Sequence, residues 1–176
     1  MEKVILEKEV INLLHKYNLK FSAAESCTGG LLISRLIGIS GASNVINESF
    51  VTYSNESKVA RLGVDKTLIR RYGVQSIEVA EAMAEGLYKV TNANICVGVT
   101  GFTCSDVKEE TDGLFYFSIK YTFDDYEFTF LEKYQVDGTR DEMRYKQTDY
   151  ILSSIIQGLN KFIEYKKINI DKIKYK

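Results

Sequence analysis

Two short stretches of this 176-residue chain hold side chains able to do covalent chemistry. Glu25-Ser26-Cys27-Thr28-Gly29-Gly30 sets a hydroxyl between a carboxylate and a pair of glycines, and Thr52-Tyr53-Ser54-Asn55-Glu56-Ser57-Lys58 ends in an amine. A serine becomes a nucleophile only when a base takes its proton. The one histidine, His15, lies far along the chain from both stretches, so some other base is needed, and a lysine can serve if its ammonium loses its proton. Bringing lysine from about 10.4 to near 7 requires desolvation or a neighbouring positive charge. Plainer readings stand beside this one. Ser26 or Thr28 would serve simply as a helix N-cap, Lys58 as a solvated ammonium, and His15 as a solvated helix-face residue.

For Ser26 and Lys58 to meet, each must sit where a strand runs into a helix, with both junctions at one end of a sheet. The patterning allows it. Val4, Ile5, Ile11 and Leu14 recur at helical spacing over the first 18 residues. Lys20 to Ala24 reads as a strand leading through the Ser26 turn into a helix over Leu31 to Ile37. Asn44 to Tyr53, rich in β-branched and aromatic residues, predicts a second strand. Short helices follow over Glu56 to Leu62 and Lys66 to Tyr72, ended by Gly63 and Gly73, then a longer one over Ile77 to Thr91 capped by Ser76. Asn94 to Thr100 has the apolar density of a central strand, and Gly113 to Thr122 with Tyr126 to Tyr134 alternate as an antiparallel hairpin about Asp124-Asp125. A long amphipathic helix runs from Asp141 to about Lys166. This order predicts a three-layer α/β/α single domain, its mixed, mostly parallel sheet having an antiparallel edge.

Composition narrows the function. Lys and Arg total 23 against 24 Asp and Glu, too balanced for a duplex-binding surface to be the main business. No apolar run reaches the roughly 18 residues of a membrane span, and Met1 to Glu9 does not read as a signal peptide, so a cytoplasmic setting is expected. Cys27, Cys96 and Cys104 are odd in number and lack metal-ligand spacing, which argues against structural zinc and a disulfide framework. Proline is absent from the sequence; Gly, Asn, Asp and Ser must make the turns. The domain is expected over residues 1–166, followed by a basic tail at 167–176.

The blocks Ala24 to Gly30, Thr52 to Lys58, Leu62-Gly63-Val64, Val79 to Gly86, Val99-Thr100-Gly101 and Gly138-Thr139-Arg140 with Arg144 resemble, in order, the CinA C-terminal domain family. That family includes the nicotinamide-mononucleotide amidohydrolases. The resemblance implies hydrolysis of the carboxamide of this pyridine nucleotide to the acid and ammonia, without cofactor or metal, by a self-associating, commonly dimeric protein. Carried onto this chain, Ser26 would be the nucleophile, Lys58 the base and Tyr53 an orienting group. Glu25, Thr28, Gly29, Gly30, Asn55, Thr100, Gly101, Arg140 and Arg144 would hold substrate, with the Thr28 to Gly30 stretch taking an oxyanion or phosphate and the arginines a phosphate. A surface ion pair with Asp141 is the other reading of those arginines. Cys27 also accompanies the serine in the family pattern, which implies packing and not a thiolate.

One stretch departs from the pattern. Many active members follow the Thr-Gly pair with a Gly-Pro-Gly-rich loop, whereas here residues 102–112 carry side chains and negative charge. Carboxylates facing a phosphate repel it, so the alternative reading is a non-catalytic nucleotide-binding or protein-interaction domain on the same scaffold.

Overall fold

The computed structural model describes residues 5–104, 109–123 and 126–174, with side chains through residue 167. Its elements run α1 (Leu6–Lys16), β1 (Phe21–Glu25), α2 (Leu31–Ile37), one 3-10 turn (Ala42–Asn44), β2 (Phe50–Val51), α3 (Asn55–Leu62), α4 (Lys66–Tyr72), α5 (Ile77–Thr91), β3 (Ile95–Gly101), β4 (Leu114–Phe123), β5 (Tyr126–Gln135) and α6 (Arg140–Lys174). The five strands form one sheet in the order β2-β1-β3-β4-β5. β1 pairs in parallel with β2 and β3, and β4 is antiparallel to both β3 and β5. Four of the five strands therefore point the same way.

Alternation along the strands divides the core between the two faces. Phe21, Ala23, Val97, Val99, Phe117 and Ile119 turn toward the side covered by α1, α2 and α6. Ala24 and Cys96 turn the other way, against Leu62, Val79, Met83 and Leu87 of α3 and α5. All five residues of β1 are buried, as expected of a strand covered on both faces. α5 approaches β3 closely enough to need a glycine there, since a Cβ on Gly98 would lie 2.3 Å from the Ala80 carbonyl oxygen.

The second predicted strand is much shorter than Asn44 to Tyr53. Side-chain bonds replace much of the ladder: the Ala23 amide donates to Ser49 Oγ at 3.0 Å, and Ser22 Oγ donates to the Glu48 carbonyl at 2.7 Å. Ile46 makes a single bridge to Phe21. The segment thus runs beside β1 with its residue types satisfied and its backbone mostly outside the ladder.

The other differences are local. The first hairpin strand is shifted by one residue, the second extends by one, and α6 runs from Arg140 to Lys174. The basic tail's side chains beyond 167 and residues 105–108 of the divergent loop lie outside the described residues. His15 is exposed, but its Nε2 lies 2.9 Å from the Gly41 carbonyl, which ties α1 to the turn after α2. No helix among the described residues is long and apolar enough to cross a membrane.

Candidate active site at two strand-to-helix junctions

β1 carries Glu25 to the end of the sheet, where Gly29 (φ +61°) and Gly30 (φ +88°) adopt left-handed backbone and turn the chain into α2. A side chain is strained at such angles. β2 runs parallel to β1 with Val51 opposite Glu25, and the Thr52 amide donates to the Glu25 carbonyl at 2.8 Å. Parallel pairing therefore places both strand-to-helix junctions at one end of the sheet. Ser54 then caps α3, its hydroxyl accepting from the Ser57 amide at 3.1 Å, and one turn later the helix presents Lys58 on its buried side.

Lys58 Nζ lies 3.0 Å from Ser26 Oγ, 2.7 Å from the Thr52 carbonyl and 3.5 Å from the Tyr53 carbonyl. Lys58 has no exposed surface, and none of the ion pairs among the described residues involves it. Burial without a counter-charge disfavours the ammonium, pulling the Lys58 pKa down to about 8. A neutral amine has two N–H donors and one lone pair. With the two carbonyls taking the donors, the lone pair is left for the Ser26 hydroxyl proton. Cys27 is neutral beside this pair, its thiol pushed up to about 12 by burial.

Glu25 is fully buried and organises the turn. One carboxylate oxygen accepts from Thr28 Oγ1 at 2.7 Å and the Leu32 amide at 3.1 Å, and the other from the Ile33 amide at 2.9 Å. The carboxylate thereby satisfies two amides of the first turn of α2 and faces the positive end of its dipole. The Gly29 amide donates to the Ser26 carbonyl at 3.0 Å, and the Leu31 amide to the Thr28 carbonyl at 3.2 Å. Within the Thr28 to Gly30 stretch, the Gly29 amide is thus bonded inside the turn.

Of the two arginines on α6, Arg144 reaches the Ser26 turn. Arg144 donates from Nε and Nη2 to the Thr28 carbonyl at 3.1 and 3.0 Å and pairs with Asp141 at 3.2 Å. Arg140 Nη1 donates to Thr103 Oγ1 at 2.6 Å and the Cys104 carbonyl at 3.1 Å, so it engages the divergent loop. Tyr53 contributes its backbone carbonyl, and the residue is 66% exposed. Asn55 is exposed at the start of α3. Thr100 is buried and donates to the Val74 carbonyl at 2.9 Å. A Cβ on Gly101 would come within 2.6 Å of Phe115 Cα, which makes Gly101 a packing position. Sequence reasoning did not single out the Thr52 carbonyl, since every residue type carries one.

Glu109, Glu110 and Asp112 of the divergent loop, with Asp137, line a cavity of about 850 Å³ that also touches Met143, Lys146 and Tyr150. The negative charge on this loop is thus set around an opening.

A family model described as the CinA C-terminal domain matches residues 3–159. The chain belongs to that family. Among its relatives, a CinA-like protein of Petrotoga mobilis is 39% identical over 156 residues, which are 89% of this chain and 38% of that protein. A CinA-like protein of Kosmotoga olearia is 36% identical over 156 residues, 88% of this chain and 37% of that protein. The chain spans between a third and two fifths of the length of these CinA-like proteins. A solved structure of the competence/damage inducible protein CihA from Agrobacterium tumefaciens is 30% identical, with a TM-score of 0.72 over 90% of this chain and 92% of that one. A CinA superfamily protein from Klebsiella pneumoniae shares the fold at a TM-score of 0.81 and 19% identity, over 88% and 96% of the two chains.

Proposed function

We propose that this CinA C-terminal domain is an amidohydrolase that cleaves the carboxamide of nicotinamide mononucleotide, releasing the nicotinate nucleotide and ammonia. The observation that carries the reading is a lysine without exposed surface, its amine 3.0 Å from a serine hydroxyl. Lys58 takes the Ser26 proton as Oγ bonds to the amide carbon. Backbone amides of the Ser26 turn stabilise the oxyanion, Gly29's excluded because it already holds the Ser26 carbonyl. Lys58 then passes its proton to the departing nitrogen, the carbon–nitrogen bond breaks, and ammonia leaves an ester on Ser26. Water gives a proton to Lys58 and attacks that ester, and the Ser26 oxygen recovers a proton as the acid departs. The cycle as drawn uses neither metal nor cofactor.

Ammonia release from nicotinamide mononucleotide, measured on the purified chain, tests this directly. Ser26→Ala and Lys58→Met are each expected to remove turnover while circular dichroism stays native. Unchanged turnover in either folded variant ends the Ser/Lys proposal.

A second reading draws on Arg140, whose guanidinium is engaged by the loop that departs from the family pattern. On that reading the domain binds a nucleotide or a protein without turnover. Calorimetry separates the two: binding of the mononucleotide without ammonia release favours a binder, and neither favours a scaffold.

A further inference from the structure

Thr52, Ser26 and Thr100 set a row of hydroxyls across the end of the sheet. Phe50, Ala24 and Gly98 lie side by side on β2, β1 and β3, and two positions further along the three parallel strands come Thr52, Ser26 and Thr100. Positions two apart on a strand share a face, here the face covered by α3 and α5, from which Lys58 reaches in. Ser26 Oγ is engaged by Lys58 Nζ at 3.0 Å, and Thr100 Oγ1 donates to the Val74 carbonyl at 2.9 Å. Thr52 Oγ1 is buried and has no hydrogen-bond partner.

The main chain of Thr52, by contrast, is held on both sides. Its amide donates to the Glu25 carbonyl at 2.8 Å, and its carbonyl accepts from Lys58 Nζ at 2.7 Å. Only the side chain is left to turn, about the Cα–Cβ bond, in the residue that already touches the amine. A buried hydroxyl without a partner costs stability, so a methyl in its place would suit the resting fold at least as well. The amine itself supplies a use for the hydroxyl. Uncharged, Lys58 has two hydrogens to place, and the Thr52 and Tyr53 carbonyls face them. Once it has taken the Ser26 proton it carries three hydrogens and a charge. One points along the path between Ser26 Oγ and the departing nitrogen, one stays on the Thr52 carbonyl, and the last has the Tyr53 carbonyl at 3.5 Å, the outer limit of a hydrogen bond.

We propose that Thr52 is a positioning residue for the base: as Lys58 takes the Ser26 proton, the Thr52 side chain turns and Oγ1 accepts a hydrogen of the new ammonium. The consequence for turnover rests on the amidase reading, whereas the interaction rests on the Ser26–Lys58 geometry alone. The groups around Lys58 supply no other charged partner. Cys27 is neutral, Glu25 directs its oxygens to Thr28, Leu32 and Ile33, Arg144 is held on the Thr28 carbonyl, and α5 meets α3 in an apolar cluster through Val79, Met83 and Leu87.

Thr52→Val removes the hydroxyl and keeps the branched shape, and its urea midpoint is expected at or above that of the wild type. Lys58 is titrated without substrate by NMR of the intact chain labelled at lysine Cε, its signal assigned by loss in Lys58→Met. The midpoint is expected to fall by about one pH unit in Thr52→Val, because a hydrogen bond to a charged group is worth more than one to a neutral group, and to stay in place in Thr52→Ser, which keeps the hydroxyl. In the ammonia-release assay the kcat/KM profile of Thr52→Val moves to lower pH by the same interval, with kcat lowered about tenfold and KM nearly unchanged. A midpoint equal in wild type and Thr52→Val, a midpoint that falls as far in Thr52→Ser, or a lowered kcat with an unmoved profile overturns the proposal. Absence of ammonia release from the wild-type chain ends the amidase reading, and the titration still decides the role of Thr52.

Discussion

Lys58 sets the behaviour of the proposed reaction with pH. Its pKa of about 8 lies below the ordinary 10.5 because burial penalises the ammonium. The active uncharged amine therefore gains as pH rises. On the amidase reading, kcat/KM should increase about tenfold per pH unit below about 8 and level off above it, and a flat profile between pH 6 and 9 would remove Lys58 as the base. Stability moves in the same direction. Between about 8 and 10.5 the unfolded chain holds a proton on this amine that the folded chain has lost, so the Lys58 contribution to stability increases with pH across that window. At this scale the sequence disclosed the two side chains that the fold brings together, Ser26 and Lys58. It did not disclose that Tyr53 would contribute a carbonyl and lie exposed, because side-chain identity says little about where a backbone oxygen points.

At the scale of elements, parallel pairing of β1 with a two-residue β2 is what unites the chemistry, and that strand was the one most overestimated from sequence. Residues 44–53 have strand-forming side chains, but Ser49 and the Glu48 carbonyl bond β1 without a regular ladder. Tertiary hydrogen bonding overrode local propensity. The helix caps were more legible, since a serine just before a periodic apolar run has one economical use: Ser76 accepts from the Val79 amide at 3.3 Å. The close seating of α5 on β3 was not legible, because one glycine in an apolar strand says nothing of what lies above it. Gly98→Ala should destabilise the fold by about 3 kcal/mol, at the upper end of overpacking effects, because the new methyl meets backbone and not a movable side chain. Urea unfolding would check it; a loss under about 1 kcal/mol would mean that α5 shifts freely.

Across the whole molecule, segments far apart in the chain converge on the site. Arg144, at the start of α6, holds the carbonyl of Thr28, 116 residues earlier in the chain. Arg144→Ala should lower amidase kcat/KM about tenfold or more, the loss of a charged hydrogen bond worth about 1.5 kcal/mol or above, while leaving secondary structure intact. An unchanged kcat/KM would show that the turn holds itself. The three-layer plan was readable from the alternation of strands and helices, since each pattern has one face to bury. The link from Arg144 to Thr28 was not, because periodicity describes neighbours along an element and is silent about distant partners.

The buried carboxylate at Glu25 shapes how this domain would respond to salt. On the amidase reading, with amides at the start of α2 already bonded to it, attraction of the anionic substrate would pass to guanidinium groups at the protein surface. Dissolved ions screen such attraction over about 8 Å at physiological ionic strength. Affinity for a phosphorylated ligand should therefore weaken as salt is added, whereas a neutral amide lacking the phosphate would bind almost independently of it.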